Sequence, residues 1–384
     1  MDEMNRRQFV KIGAGLGAAT GTPLVFAEEE AKSESKDMIY RELGDTKLKV
    51  SAVSLGTYGF SNSGLLERAL DKGINFICTA AEYQNGVAEE SIGKVAKKRR
   101  KDMVIMTGWS CRPNSTKQEL IASLDASLKR LSTDYVDIVK THNLDKAALL
   151  DNEAQFEAFE EAKKTGKVGF LGLSNHNADI IDVLQAVLKK KKFHVLQCKF
   201  NFMEYEKQMK IFDEAEKLGI GIVAFKVRAG KRENEIKELE NKGLQVRQAA
   251  IRWALNDKRI ASVCMGFTNF DQIDEYREAV MKKLSRSDEE ALRLYAQAVD
   301  RSYCRNCSTC EAYCPNQVAV AEIMRYSMYF KYYKMEKEAM RLYSALPPDR
   351  AADPCAGCGG FCEQGCPYGR PVRTGLLEAR EMLT

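Results

Sequence analysis

The stretch SLKRLSTDYVDIVKT, residues 127–141, contains the alternation of helix and strand that decides the fold. Its first part ends an amphipathic helix predicted over Lys117–Leu131, because apolar side chains recur there at the helical spacing. A short polar turn then leads into a strand predicted over Tyr135–Thr141. A chain that repeats this unit is expected to build an α/β fold around a parallel sheet.

The same unit recurs on both sides of that stretch. The other predicted strands are Lys49–Gly56, Asn75–Thr79, Met103–Thr107, Val168–Ser174, Val195–Asn201, Gly221–Phe225 and Ser262–Gly266. The other predicted helices are Ser63–Lys72, Ala88–Arg99, Asn152–Thr165, Asp179–Lys190, Gln208–Leu218 and Leu244–Leu255. Eight largely apolar strands, each followed by a helix, predict a (β/α)₈ barrel. A doubly wound sheet is the alternative, but it needs a glycine fingerprint that the residues 56–59 do not supply.

Composition narrows the possible functions. The chain has 384 residues, enough for a barrel with an appended domain, and a formal net charge of only +5. No basic stripe is interleaved with aromatic residues, so nucleic acid is not an expected partner. The predicted strand ends carry a histidine, a tyrosine, amides and basic groups but no pair of carboxylates, which argues against a glycosidase or a two-metal hydrolase.

Eight of the twelve cysteines follow residue 300, in C-x-x-C steps that end beside proline. The two runs are Cys304, Cys307, Cys310, Cys314 and Cys355, Cys358, Cys362, Cys366. The first run has the ligand spacing of bacterial ferredoxins, and the second carries one extra residue, Phe361. The sequence therefore predicts two [4Fe–4S] clusters. A zinc site is the alternative, although zinc seldom uses two such runs.

The ferredoxin rule assigns the fourth cysteine of each run to the other cluster. One predicted set is therefore Cys304, Cys307, Cys310 and Cys366, and the other is Cys355, Cys358, Cys362 and Cys314. Helices predicted over Val318–Tyr333 and Met335–Leu346 separate the two runs. This insert resembles the α-helical ferredoxin arrangement, and so the carboxyl-terminal part is expected to be a small helical iron–sulfur domain.

The amino terminus resembles a twin-arginine export signal. Arg6-Arg7 is followed by Phe9 and Lys11, and then by a Gly/Ala-rich apolar run that ends at Ala27. That run is too short and too rich in glycine for a membrane span. We therefore expect a signal peptide at 1–27, a charged linker at 28–37 and a periplasmic protein without a transmembrane span. An uncleaved anchor or a chance basic start is the alternative.

The body resembles the aldo/keto reductase family over about 230 positions. The residues that carry the likeness are GINFICTAAEY at 73–83, SLKRLSTDYVD at 127–137, Thr141-His142-Asn143, GKVGFLGLSN at 166–175, Gln197, GIGIVAFK at 219–226, AAIRWAL at 249–255 and GFTNFDQIDE at 266–275. The whole chain resembles the exported branch of that family with a carboxyl-terminal ferredoxin-like domain. The resemblance implies a barrel domain at 38–295 and a cluster domain at 296–384.

The resemblance also implies a catalytic site. The family uses an Asp, Tyr, Lys and His tetrad, in which the tyrosine donates a proton to a carbonyl while a nicotinamide delivers hydride. Tyr83 and His142 match the Tyr and His, whereas Cys78 and Gly108 stand at the Asp and Lys positions. Because the lysine lowers the pKa of the tyrosine, its absence predicts a weak acid/base at neutral pH. Lys226 could compensate, but a contact with cofactor phosphate is the preferred role for it.

Other positions match the family's cofactor pocket. Ser174, Asn175 and Gln197 correspond to residues that hold the nicotinamide carboxamide. The matches on the adenosine side are Gly266, Thr268, Asn269, Gln272 and Glu275. The 266–275 loop has no arginine for a 2′-phosphate, so NAD, NADP and an empty site all stay open.

Two functions are compatible with these features. In the first, the protein is an exported oxidoreductase in which a nicotinamide-type barrel site acts on a small carbonyl or hydroxyl substrate. Two [4Fe–4S] clusters then relay electrons to or from a partner protein. In the second, the protein is an electron-transfer or assembly subunit with a catalytically degenerate barrel, since the Asp/Lys pair is missing.

Overall fold

The computed structural model describes residues 38–144, 147–175 and 181–384. The predicted signal peptide 1–27 and linker 28–37 lie outside the described residues. Residues 179 and 180 of the helix predicted over 179–190 also lie outside the described residues. The observed helix begins at Ile181.

Eight parallel strands close into a barrel, which confirms the predicted (β/α)₈ fold. The strands are β3 (Val53–Gly56), β4 (Phe76–Cys78), β5 (Val104–Trp109), β6 (Val136–Thr141), β7 (Val168–Asn175), β8 (Val195–Lys199), β9 (Gly221–Phe225) and β10 (Ile260–Gly266). Closure comes from β10, which pairs with β9 on one side and with β3 on the other. All eight carboxyl ends therefore meet at one mouth, where such barrels carry their active sites.

A two-stranded hairpin closes the other end of the barrel. Strand β1 (Tyr40–Glu42) pairs antiparallel with β2 (Lys49–Ser51), and the intervening Leu43 is completely buried. Leu43 packs so close to Gly221 that a side chain at that glycine would approach it to 2.7 Å. The single strand predicted over 49–56 is therefore wrong in one respect. Its first three residues belong to the hairpin, and only the residues from Val53 onward enter the barrel.

Amphipathic helices surround the barrel where the apolar spacing predicts them. In chain order the barrel helices are α1 (Ser63–Asp71), α2 (Val87–Arg99), α3 (Lys117–Leu131), α4 (Ala154–Lys164), α5 (Ile181–Lys190), α6 (Glu206–Lys217), α7 (Glu233–Glu240), α8 (Val246–Asn256), α9 (Asp271–Met281) and α10 (Arg286–Val299). Helix α3 begins with a capping box between Thr116 and Glu119, which satisfies two backbone N–H groups of its first turn. Sequence reasoning did not predict α7, α9 and α10.

The carboxyl-terminal part is a helical unit with its own apolar core. It contains α11 (Val320–Tyr333), α12 (Glu336–Ser344) and α13 (Val372–Leu383), joined by loops and short 3₁₀ turns. Ile323, Ala339 and Leu376 are among its buried core residues. Helices α11 and α12 overlap the two predicted helices, while α13 lies beyond them. The predicted domain boundary at 295/296 falls inside α10.

The helical unit packs against the mouth of the barrel. The ammonium of Lys199, at the end of β8, donates 2.8 Å to the backbone carbonyl of Arg305 and pairs at 2.6 Å with Glu204. On another side of the mouth, the ring of Tyr58 lies 5.5 Å from the ring of Tyr329 on α11. The cysteine-bearing loops are thus held beside the place where a barrel of this class carries its active site.

Candidate active site and cysteine pockets

The predicted catalytic pair meets at the barrel mouth. Tyr83 follows β4 and His142 follows β6, and the tyrosine Oη lies 3.2 Å from the histidine Nε2. The other ring nitrogen, Nδ1, lies 2.6 Å from a carboxylate oxygen of Glu82. An ionised carboxylate only accepts hydrogen bonds, so Nδ1 carries the proton that it donates to Glu82. In neutral His142, Nε2 then accepts from the Tyr83 hydroxyl, which makes a chain of carboxylate, imidazole and phenol.

Sequence reasoning missed Glu82. It directly precedes Tyr83, so the sequence shows the two as neighbours but not that both face His142. The short turn Tyr83–Gly86 contains Gln84 and Asn85 with φ values of 49° and 53°. These left-handed residues reverse the chain just after Glu82 and Tyr83, a geometry that spacing alone does not predict.

The electrostatics of this chain favour a protonated tyrosine. Burial, followed by the nearby Cys264, Tyr329 and Glu82, raises the pKa of Tyr83 well above its usual value. Burial would also raise the pKa of Glu82, but the hydrogen bond from His142 and the charges of His142 and Lys140 lower it overall. Tyr83 therefore holds a proton that it can donate, while Glu82 stays ionised.

Cys78 and Gly108, which the resemblance puts at the Asp and Lys positions, lie on neighbouring barrel strands. Cys78 is buried at the end of β4, and Gly108 lies on β5 directly opposite Lys140 of β6. Lys140 is only 1% exposed, and its ammonium donates 2.8 Å to Oε1 of Gln197. Sequence reasoning missed this buried cation. The available signal was a lysine inside an otherwise buried strand, but the side of the strand it faces depends on the tertiary structure.

The residues predicted to hold the nicotinamide lie together at the ends of β7 and β8. Ser174 Oγ accepts a hydrogen bond of 3.1 Å from the backbone of Asn143, and Asn175 Nδ2 donates 2.7 Å to the carbonyl of Leu144. Both side chains are buried, as is Gln197. Their amide and hydroxyl groups suit a carboxamide ligand, although each already has a partner within the protein.

The predicted adenosine-side residues form the start of α9. Gln272 Oε1 accepts 2.8 Å from the backbone of Thr268, and Asn269 Oδ1 accepts 3.0 Å from the backbone of Gln272. Gly266 ends β10 just before this turn. Burial raises the pKa of Glu275, which the nearby Arg247 opposes. These hydrogen bonds fix the turn before α9, and Glu275 lies among charged neighbours.

Lys226 lies beyond the end of β9 in a left-handed conformation with φ of 56°. Its ammonium lies 6.0 Å from the centre of the Phe225 ring. The charged groups with the largest effects on Tyr83 do not include Lys226. The observed geometry therefore gives no support to Lys226 as the cation that compensates for position 108.

The structure sorts the eight late cysteines into two groups. One cavity of the helical unit is lined by Cys304, Cys307, Cys310 and Cys366. Burial and the thiols of Cys304, Cys307 and Cys366 all contribute to raising the pKa of Cys310 to about 12.

The other four thiols form the second group. Burial, and after it the thiols of Cys314, Cys362 and Cys358, raise the pKa of Cys355 to about 11. The exchange rule names the same sets, and their role as cluster ligands stays a prediction. Among the residues described, no three His, Cys, Asp or Glu side chains converge at the distances of a single metal ion.

The barrel part of the chain is similar in sequence to known proteins. The aldo/keto reductase family model matches residues 61–236. An uncharacterized oxidoreductase of Bacillus subtilis, YrpG, is 31% identical over 221 residues, which are 50% of this chain and 67% of that protein. The L-glyceraldehyde 3-phosphate reductase of Escherichia coli O157:H7 is 26% identical over 325 residues, covering 68% of this chain and 93% of the relative.

A solved structure shows the same fold. The holo form of the aldo-keto reductase AKR11C1 from Bacillus halodurans superposes with a TM-score of 0.56 at 22% identity, over 67% of this chain and 96% of that one. The fold and the family match together define a (β/α)₈-barrel oxidoreductase. The chain belongs to the aldo/keto reductase family.

The helices of the described ranges were also compared with the length and apolarity that a membrane span requires. None of them meets both requirements.

The Glu82–His142 contact gives a pH-dependent contribution to stability. Because the pKa of Glu82 is lowered in the folded protein, this contribution is complete above the unfolded pKa of about 4.3 and is lost as pH falls through the folded pKa. We expect wild type to exceed Glu82→Gln in unfolding free energy at pH 7. Urea titrations should show the difference shrinking as pH falls below about 4.3.

The exposed substitution Glu67→Gln serves as the control and should differ little from wild type at any pH. A difference in unfolding free energy between wild type and Glu82→Gln that is constant from pH 7 to pH 3 would contradict the assigned contact between Glu82 and His142.

Proposed function

We propose that the protein is an exported iron–sulfur oxidoreductase of the aldo/keto reductase type. In this proposal the barrel at 38–295 acts on a small carbonyl or hydroxyl substrate with a nicotinamide cofactor. The domain at 296–384 holds two [4Fe–4S] clusters that exchange electrons with a partner protein. The observation that carries the proposal is the packing of a four-cysteine cavity beside the barrel mouth that contains Tyr83 and His142.

Tyr83 is the proposed proton donor to the substrate oxygen. Its high pKa keeps the proton on the hydroxyl at neutral pH, and this hydroxyl, which donates to His142 Nε2, would turn to the substrate oxygen when substrate binds. Glu82 in turn fixes the tautomer and orientation of His142. A bound nicotinamide would supply hydride, and Ser174, Asn175 and Gln197 are the residues that would bind its carboxamide. The name of the Escherichia coli relative, a glyceraldehyde phosphate reductase, is consistent with an aldehyde as substrate.

The phosphate and adenosine of the cofactor would lie toward β9 and α9. Lys226 is the proposed phosphate contact, since an ammonium binds phosphate as a point charge. Gly266, Thr268, Asn269, Gln272 and Glu275 would surround the adenosine. The site differs from the family tetrad at Cys78 and Gly108, so we expect its acid/base chemistry to differ in pH dependence as well.

The cluster domain is proposed to use the exchanged ligand sets. Cys304, Cys307 and Cys310 would share one cluster with Cys366, while Cys355, Cys358 and Cys362 would share the other with Cys314. Four thiols around a cavity fit the cluster, because cysteine thiolates are its usual ligands. When bound, such clusters carry single electrons, which requires a partner at one end of the relay.

A second function is favoured by a specific feature of the mouth. Ser174, Asn175 and Gln197 all bind groups of the protein itself, and no cation is among the main influences on Tyr83. An electron-transfer or assembly subunit with a degenerate barrel would explain both facts. The two functions differ in whether the barrel binds nucleotide and uses Tyr83.

The barrel is tested with protein purified anaerobically with its clusters intact. We expect NAD(P) to be detected by mass spectrometry or to bind on titration. Reduction of a simple aldehyde such as glyceraldehyde should fall by about 100-fold or more in Tyr83→Phe, because the proton donor is lost. Tyr326→Phe, in the helical unit, is the matched control and should retain activity. Absence of nucleotide binding, or a wild type that does not reduce the aldehyde, favours the degenerate barrel, while a fully active Tyr83→Phe variant would exclude Tyr83 as the proton donor.

The cluster assignment is tested with pairs of cysteine variants. Wild type should bind about eight iron atoms per chain, and the control Cys111→Ser should do the same. Cys307→Ser combined with Cys366→Ser affects a single proposed set, so about four iron atoms should remain. Cys307→Ser combined with Cys314→Ser affects both sets and should abolish iron binding. The opposite order of the two double variants would exclude ligand exchange, and iron-free wild type would exclude the clusters.

Export is proposed from the twin arginines at Arg6 and Arg7. The substitutions Arg6→Lys and Arg7→Lys together should leave the full-length protein in the cytoplasm of a bacterial host, because the twin-arginine route reads those side chains. Cell fractionation followed by immunoblotting measures this, with Arg286→Lys as the control that should be exported normally. Equal periplasmic amounts for all three proteins would refute the proposed export through the twin-arginine route.

A further inference from the structure

Lys140 and Gly108 are matched neighbours on adjacent strands. They are direct partners in the pairing of β5 with β6. The stem of Lys140 lies over Gly108, so a Cβ at position 108 would approach Lys140 Cγ to 3.1 Å and Cε to 3.2 Å. Such contacts are too close for a well-packed interior. The glycine that removes the family's lysine from β5 therefore also makes room for a lysine from β6.

The ammonium of Lys140 is buried without a carboxylate partner. Its Nζ donates 2.8 Å to Gln197 Oε1, and no Asp or Glu of the described ranges lies within ion-pair distance of it. The groups that act on it are thiols and one more distant acid. Burial lowers the pKa of Lys140, while Cys78 of β4, Cys264 of β10 and Glu82 raise it. A buried cation of this kind needs a counter-charge nearby.

Cys264 is the group best suited to supply that charge. It is partly exposed at the mouth, and its thiol interacts with Cys78, Ser54 and Gln197. The hydrogen bond from Cys78 lowers the pKa of Cys264; burial opposes this, and the charge of Lys140 lowers it further. Burial raises the pKa of Cys78 well above its usual value, so Cys264 is the thiol of the pair that ionises more readily.

We propose that Lys140 is a positioning residue of the barrel site, which supplies from β6 the positive charge missing at position 108, fixes the Gln197 amide and acts on the thiol of Cys264. Because an ammonium only donates, it keeps Gln197 Oε1 turned inward and leaves Nε2 toward Cys264 and the mouth. Only the part that concerns cofactor binding by Gln197 rests on the proposed function.

The thiol is tested independently of any nucleotide. In the cluster-loaded protein, alkylation of Cys264 by iodoacetamide is followed by peptide mass spectrometry between pH 6 and pH 10. Its rate rises with the thiolate fraction, so the midpoint of the profile reports the thiol pKa. We expect Lys140→Met to raise this midpoint by about one pH unit or more, because an opposite charge at close range is removed.

Lys167→Met is the control, since it also removes a lysine beside a barrel strand, but at the end away from the mouth, where Lys167 pairs with Asp125. Its midpoint should equal that of wild type, whereas an unshifted midpoint in Lys140→Met would overturn the proposal. Gly108→Ala keeps the lysine but pushes its stem aside, and it should give a smaller shift in the same direction as Lys140→Met. Retention of cluster absorbance and of the thermal unfolding midpoint shows that each variant is folded.

The role at Gln197 has a separate measurement. Lys140→Met should weaken NAD(P) binding by about tenfold, the effect of losing roughly one oriented hydrogen bond. Unchanged affinity would remove the amide-positioning role while leaving the thiol result to stand on its own profile. If wild type binds no nucleotide, the proposed cofactor fails, and the alkylation midpoints still decide whether Lys140 acts on the Cys264 thiol.

Discussion

Closure of the barrel is the constraint on which the rest of the structure depends. The pairing of β10 with β3 leaves no free sheet edge and turns every strand's carboxyl end toward one opening. Residues that are far apart in sequence, such as Tyr83, His142 and Gln197, become neighbours only through this closure. The hairpin that carries Leu43 fills the opposite end, so solvent and ligands approach from the mouth.

Ionisable groups at the mouth fall into two sets. The buried Lys140 enters from β6, and Cys78, Cys264 and Glu82 are the groups that act on it. Glu82 and His142 form a chain that ends on Tyr83. The site thus has a proton-holding chain on one side and a lysine beside two thiols on the other, and Glu82 acts on both.

The helical unit shares the surface of this mouth. Lys199 joins β8 to the loop of the first cysteine run, and Tyr58 links the Tyr83 ring at 5.0 Å to Tyr329 of α11. Burial of Lys199 and its partner Glu204 makes the contact specific, because a misplaced loop would leave a buried charge unpaired. The cysteine-rich part therefore forms one side of the barrel mouth.

The sequence by itself determined the barrel and most of its helices. These features rest on local apolar spacing and on short motifs, which can be recognised within a few residues. Tertiary structure alone decided that Glu82 faces His142, that Lys140 fills the space above Gly108, and that residues 49–51 leave the barrel for a hairpin. The reason is physical. Which way a side chain faces at the mouth depends on strand register and barrel closure, and both arise from contacts between residues distant in sequence.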